Sequence, residues 1–183
     1  MLRKLRLLQH SYTSHYSIYI IENFLEDELL EKVLKKCEKL TESDTMNKST
    51  NVKATMTDYQ ELLKHDLFKK VFQSVIEYLH MFFLLRATGL SDKMKFTVHD
   101  AWAMRHKKDD YTKMHTHHIN GWAGALFLKV PGPSHMTFPD FDAIESIQSN
   151  SLYLFPGLTK HSVLPQQYEE HRISIGFNII HEQ

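Results

Sequence analysis

Near residue 93 the spacing of the apolar residues changes from a helical period to a strand period, and the fold has to bury both patterns against one core. Before that point, in NFLEDELLEKVLKKCEKL (23–40), Phe24, Leu25, Leu29, Leu30, Val33, Leu34 and Cys37 recur at helical spacing. Acids come early and lysines late, as the helix macrodipole favours. A second helical run, YQELLKHDLFKKVFQSVIEYLHMFFLL (59–85), breaks near His65 and restarts at Asp66, a residue suited to capping. Its wide apolar face suits a helix laid on a sheet. After the change, KMKFTVHDAWAMRH, WAGALFLKV, SLYLFPG and RISIGFNII are short apolar or alternating runs bounded by Pro, Gly, Asp and Asn.

Helices followed by strands predict an α+β fold with a curled antiparallel sheet, not alternating βαβ units. The length of 183 residues suits one domain over 1–183, with 1–92 as helical support and 93–183 as the β core. Within the first part, SIYIIE (17–22) is rich in β-branched and aromatic residues and reads as a buried strand. MLRKLRLLQH reads as an opening strand or tail, and 41–58 as a loop with room for a short strand. The insert VPGPSHMTFPDFDA (130–143) reads as irregular connection with one brief strand, MTF.

Charge narrows the function classes. Lysine plus arginine and aspartate plus glutamate each number 22, so no overall field draws the chain to nucleic acid or an anionic membrane. The basic runs KMKF and RHKK lack the interleaved aromatics of a nucleic-acid groove. No stretch approaches the ~20 apolar residues needed to span a bilayer. The single cysteine, Cys37, excludes an internal disulfide and reads as a structural thiol on a helix. With no signal-like segment, the expected compartment is the cytoplasm. The N-terminal helices leave a homodimer open.

Histidine is what departs from ordinary composition, at 13 residues. In MHTHHINGWAGALFLKV (114–130), His115, His117 and His118 stand at the mouth of an apolar strand. Imidazole is the commonest protein metal ligand and is costly to bury unpaired. Residues two apart on a strand share a face, so His115 and His117 can aim at one ion if the strand end bends, and 112–121 offers that bend. The alternative reading is a pair of solvated edge histidines. In LFPGLTKHSVLPQQYEEHRISIGFNII (154–180), His161 opens one strand and Arg172 another, with Ser174 on the same face as the arginine. Such a pair can receive a carboxylate, bidentate at the guanidinium with the hydroxyl as a further donor. The plainer alternative pairs Arg172 with Glu169 or Glu170.

Taken together, H-x-H with A-G six residues after the second histidine, F-P-G-x-x-x-H, and R-I-S-I-x-F-N eleven residues after that histidine resemble the Fe(II)/2-oxoglutarate-dependent oxygenases. DAWAMRHKKDDYTKMHTH (100–117) is similar to the approach to the metal strand in the compact branch of that superfamily found in marine bacteria and their phages. The resemblance spans about residues 97–180 and implies a double-stranded β-helix, a jelly roll of the cupin kind. It further implies Fe(II) held by His115 and His161, and 2-oxoglutarate held by Arg172 and Ser174, with Tyr111 and Asn178 as further contacts. The general pattern of the superfamily is H-x-D…H, a face of two histidines and one carboxylate. Here His117 stands at the aspartate position and is the expected third ligand, with Asp109, Asp110, Asp140 and Asp142 as loop alternatives. The implied reaction uses O2 to convert 2-oxoglutarate to succinate while hydroxylating an amino-acid, peptide or small-molecule substrate. Two other readings remain at this point: a three-histidine cupin dioxygenase that uses no 2-oxoglutarate, and a non-catalytic barrel that binds a ligand. Trp102, Met104, Trp122 and the loops 105–114 and 131–150 are candidates to line the barrel mouth.

Overall fold

The computed structural model describes residues 3–9, 17–42, 51–85, 95–117 and 121–182; His118 lies outside them. In chain order the elements are β1 (Lys4–Gln9), β2 (Ser17–Glu22), α1 (Asp27–Leu40), β3 (Val52–Lys53), β4 (Thr55–Met56) and α2 (Asp66–Leu85). Then follow β5 (Lys95–His106), β6 (Tyr111–His115), β7 (Gly121–Lys129), β8 (Ser134–Phe138), β9 (Ala143–Ile147), β10 (Ser151–Pro156), β11 (His161–Val163) and β12 (Arg172–Glu182). The expected break before α2 is a 3₁₀ turn at Leu62–Lys64.

The strands form two antiparallel sheets, a seven-stranded one ordered β1-β2-β10-β7-β12-β5-β4 and a five-stranded one ordered β3-β6-β11-β8-β9. This is the double-stranded β-helix. Beside the helices, the described part of 1–92 supplies β1 to β4, which extend both sheets. The proline-bearing insert 130–143 holds the one brief strand expected around Met136–Phe138, as β8, and β9 begins at its last residue and pairs back on it, with Ser134 opposite Ile147 and Phe138 opposite Ala143.

Alternation along the large sheet explains its near-continuous apolar runs, since both of its faces are covered. Tyr19, Ile21, Leu126, Leu152, Leu154 and Ile175 face outward, against Val33 and Cys37 of α1 and the stripe Phe68, Val71, Phe72, Val75, Leu79 and Phe82 of α2. Ile18, Ile20, Phe127, Tyr153 and Phe155 face inward, against Met136, Phe138 and Val163 of the smaller sheet. Burying each such side chain contributes about 1.5–3 kcal/mol. Gly124 is required by this packing, because a Cβ there would run into the Phe177 ring. Arg105 ties the C-terminus of α1 to β5, donating to the Glu38 carbonyl at 2.8 Å. That satisfies one of the carbonyls every helix end leaves unpaired. No described helix is long and apolar enough to cross a membrane.

The strand β12 is the exception that marks the site. Its outward residues Ile173, Ile175, Phe177 and Ile179 join the apolar core, while its inward positions carry Arg172, Ser174, Gly176 and Asn178. Polar groups at the centre of a sandwich cost free energy unless something pairs with them.

Candidate metal and anion site

A bulge brings the first two histidines to the third. Strand β11 pairs with β6 so that His161 lies opposite His115 but Val163 lies opposite Thr112, leaving one extra residue in β6. The extra residue turns His115 onto the same inner wall as Thr112. His117 follows just past the strand end, where its backbone N–H donates to the Gly157 carbonyl at 2.6 Å. The Pro156-Gly157 turn thus sets the position of His117 from the strand that leads to His161.

The metal-ligating atoms of His115, His117 and His161 all lie within 4.8 Å of one another. The Nε2 atoms of His117 and His161 are 3.3 Å apart. Two nitrogens bound to one ion at ~2.1 Å, with angles between about 90° and 109°, sit roughly 3.0–3.4 Å apart. Backbone carbonyls orient two of the rings: His115 Nδ1 donates to Lys113 at 2.8 Å and His161 Nδ1 to Thr159 at 2.9 Å. A carbonyl can only accept, so Nδ1 carries the hydrogen and Nε2 presents its lone pair. Burial, with a smaller contribution from His115, pushes the His161 pKa down to about 3, and burial also lowers that of His115. Both rings are therefore neutral at pH 7, the form that binds metal.

Carboxylates are not part of this cluster among the described residues. Asp140 accepts from the Lys160 backbone and Asp110 from the Lys107 backbone, while Asp109 and Asp142 occupy turns with positive φ of 63° and 49°.

Arg172 shares a pocket with the histidines, walled by Phe127, Met136, Phe155 and Val163. It is fully buried, at 0 % exposure, and no protein group accepts from its Nε, NH1 or NH2. Ser174 Oγ beside it is likewise without a partner. The plainer pairing does not occur: Glu169 pairs with Lys108 at 2.6 Å, and the Glu170 carboxylate does not reach Arg172. Burial pulls the Arg172 pKa down to about 10, which leaves it a cation at pH 7. A buried guanidinium with no protein acceptor, next to a free hydroxyl, fits a carboxylate.

The remaining sequence candidates divide. Asn178 lines a neighbouring chamber and donates through Nδ2 to Asp100 Oδ1 at 2.7 Å. Tyr111 is not in the pocket wall; its ring lies beneath the Lys53 ammonium at 6.0 Å. Trp102 and Met104 line the pocket, whereas Trp122 packs at the helix-covered face, tilted against Tyr19 at 6.0 Å. Sequence reasoning missed His106, which is 2 % exposed, has no partner at either ring nitrogen and lies opposite Arg172 across β5 and β12. Only strand register reveals it. Burial, then the Arg172 charge, holds its pKa well below the usual histidine value.

These shifts set a pH dependence. The unfolded chain protonates His106, His115 and His161 near 6.5, but the folded chain does so only at lower pH, so the unfolded state binds more protons in that window. Stability of the metal-free protein is therefore fully present above pH 6.5 and falls as pH drops below it. The carboxylates with resolved shifts start from 4.5 or lower and act further down. A urea midpoint that declines between pH 7 and pH 5 is the expected result; an unchanged midpoint contradicts it.

No protein-family model matches the chain, and no curated protein matches it by sequence. Solved structures do. The chain has the double-stranded β-helix fold of the Fe(II)/2-oxoglutarate-dependent oxygenases. The viral collagen prolyl hydroxylase of Paramecium bursaria Chlorella virus-1, in complex with 2-oxoglutarate, is 17% identical, with a TM-score of 0.64 over 89% of this chain and 96% of that one. A prolyl-4-hydroxylase of Pseudomonas putida is 13% identical, with a TM-score of 0.67 over 92% and 95%. HygX of Streptomyces hygroscopicus, with nickel, 2-oxoglutarate and hygromycin B bound, is 9% identical, with a TM-score of 0.64 over 88% and 82%. At these identities the likeness is one of fold.

Proposed function

We propose that this chain is an Fe(II)- and 2-oxoglutarate-dependent dioxygenase, working as one domain, that hydroxylates an amino-acid, peptide or small-molecule substrate with O2. One observation carries the reading: the buried Arg172, whose guanidinium has no hydrogen-bond acceptor among the described residues, shares a pocket with three convergent imidazoles. A metal site alone needs no such cation, and an anion site alone needs no such histidines.

His115, His117 and His161 would hold the metal through Nε2, leaving open positions for other ligands. Arg172 and Ser174 would take the distal carboxylate of 2-oxoglutarate. When bound, the metal and cosubstrate together supply the oxidative decarboxylation to succinate and the oxidising power for hydroxylation. The chain's own work is placement. Phe127, Phe155 and Val163 keep water from the space between guanidinium and imidazoles. An imidazole at position 117 in place of a carboxylate leaves more positive charge at the metal, which favours an anionic cosubstrate. The buried, lone Cys37 suits a reducing compartment.

Oxygen-dependent succinate formation from 2-oxoglutarate, requiring added Fe(II), tests the proposal. Succinate without a substrate is the expected slow background, and a true substrate accelerates it. Iron binding with no succinate would favour a three-histidine centre that does not use 2-oxoglutarate. Binding of neither would favour a non-catalytic barrel.

A further inference from the structure

His106 is buried beside Arg172, at 2 % exposure, and neither of its ring nitrogens has a hydrogen-bond partner among the described residues. It stands opposite Arg172 in the pairing of β5 with β12, while Met104 stands opposite Ser174. Directly opposed residues of an antiparallel pair carry their Cβ atoms about 4.5–5.5 Å apart on one face of the sheet. His106, Arg172 and Ser174 accordingly line the same pocket. His106 does not belong to the three-histidine cluster, so metal binding does not account for it.

Donors gather here without an acceptor. Among the described residues the pocket wall carries no carboxylate. Asp110 acts on Arg172 through its charge only: it lies outside that wall, accepts from the Lys107 backbone N–H at 2.9 Å and pairs with Lys53 at 3.7 Å. Burial, then the guanidinium charge, keeps the imidazole neutral at pH 7, so one ring nitrogen carries a hydrogen and can donate it. Trp102 has the pocket's other unpartnered N–H, but it stands opposite Gly176, four residues along β5 from His106 and roughly 13 Å away at ~3.3 Å per residue. Thr112, His115 and His161 belong to the smaller sheet, across the pocket from β12.

The donor count matches one ligand group. An ionised carboxylate offers two oxygens and about four lone-pair positions. A guanidinium binding it as a fork fills one position on each oxygen. The Ser174 hydroxyl and one imidazole N–H are left for the other two. We propose that His106 is a third binding residue of this subsite, donating a ring N–H to the carboxylate that Arg172 and Ser174 hold. It thereby helps to select a 2-oxo acid with a distal carboxylate over one that ends in an apolar group. The identification of that acid as 2-oxoglutarate rests on the oxygenase reading above.

The test titrates the Zn(II)-loaded, full-length protein with 2-oxoglutarate and with 2-oxopentanoate, which has a methyl group in place of the distal carboxylate. Both acids share the same keto-acid end, so the ratio of their dissociation constants reads the carboxylate subsite alone. In His106→Leu the preference for 2-oxoglutarate should fall about tenfold or more, and in His106→Gln, which keeps an N–H donor, it should stay within about threefold of the wild type. A histidine needed only for packing would weaken both acids together and leave the ratio unchanged. An unchanged ratio in His106→Leu, or a glutamine variant no better than the leucine one, overturns the proposal. If His106→Leu does not fold, the ring N–H resonance of His106, assigned through His106→Gln, decides: it should shift with 2-oxoglutarate and stay in place with 2-oxopentanoate, and equal shifts overturn the proposal. Binding of neither acid would overturn the oxygenase reading and this assignment with it, whereas bound 2-oxoglutarate with an unchanged ratio overturns the role of His106 alone.

Discussion

Arg172→Met is expected to abolish 2-oxoglutarate binding and at the same time to stabilise the metal-free protein. Among the described residues Arg172 is the largest fully buried side chain, and none of them accepts a hydrogen bond from its guanidinium. Replacing buried ionic groups with apolar ones of similar volume is often neutral or stabilising by about 1–4 kcal/mol. For a chain of this size, each kcal/mol moves the melting temperature by roughly 2–4 °C. The cosubstrate loses in the opposite sense. Two charge-assisted hydrogen bonds at about 1.5–3 kcal/mol each correspond to a roughly 10²–10⁴-fold weaker Kd. Metal affinity should hold, since none of His115, His117 and His161 hydrogen-bonds Arg172. Scanning calorimetry of the metal-free variant and titration of the Ni(II)-loaded form with 2-oxoglutarate read the two effects separately. A lower melting temperature combined with undiminished 2-oxoglutarate binding would show that Arg172 has a structural partner and no ligand.

His161→Ala should instead lose both ligands. His161 is 4 % exposed, its Nε2 lies 3.3 Å from that of His117, and its Nδ1 is already committed to the Thr159 carbonyl. Removing it takes away the most buried of the three donors and leaves two at the strand end. Loss of a residue that merely orients a ligand costs about 10–100-fold in metal affinity, so loss of the ligand itself should cost more than about 100-fold. Binding of 2-oxoglutarate should weaken as well, because on the proposed reading the metal would anchor the end of the cosubstrate opposite Arg172. Metal content after dialysis, measured beside Arg172→Met, distinguishes the roles: one variant keeps metal and loses the anion, the other loses both. Full metal content in His161→Ala would remove His161 from the ligand set.

Much of this was legible because the periods are long and unmixed. The α1 stripe ending at Cys37, the restart at Asp66 and the alternating R-I-S-I-G-F-N of β12 each carry one period over several residues. The short strands were harder. Segments such as SIYIIE announce themselves through β-branched residues, whereas β8 is only five residues long between Pro133 and Pro139, and β9 after it alternates without a strongly apolar run. The cluster of His115, His117 and His161 was readable as residues, but not its geometry, which depends on one extra residue in β6 relative to β11. His106 beside Arg172 and Asp100 beside Asn178 are products of cross-strand register, which no local pattern encodes. Tyr111 and Trp122 show the reverse: each sits near the right element yet faces away from the pocket, because a shift of one residue in a strand changes the face.

The most direct measurement is anaerobic absorption spectroscopy of the Fe(II)-loaded protein on addition of 2-oxoglutarate. The account predicts a visible charge-transfer band that saturates with 2-oxoglutarate, is absent in His161→Ala and requires a far higher concentration in Arg172→Met. Iron bound in the wild type with no band at any concentration of 2-oxoglutarate would contradict it.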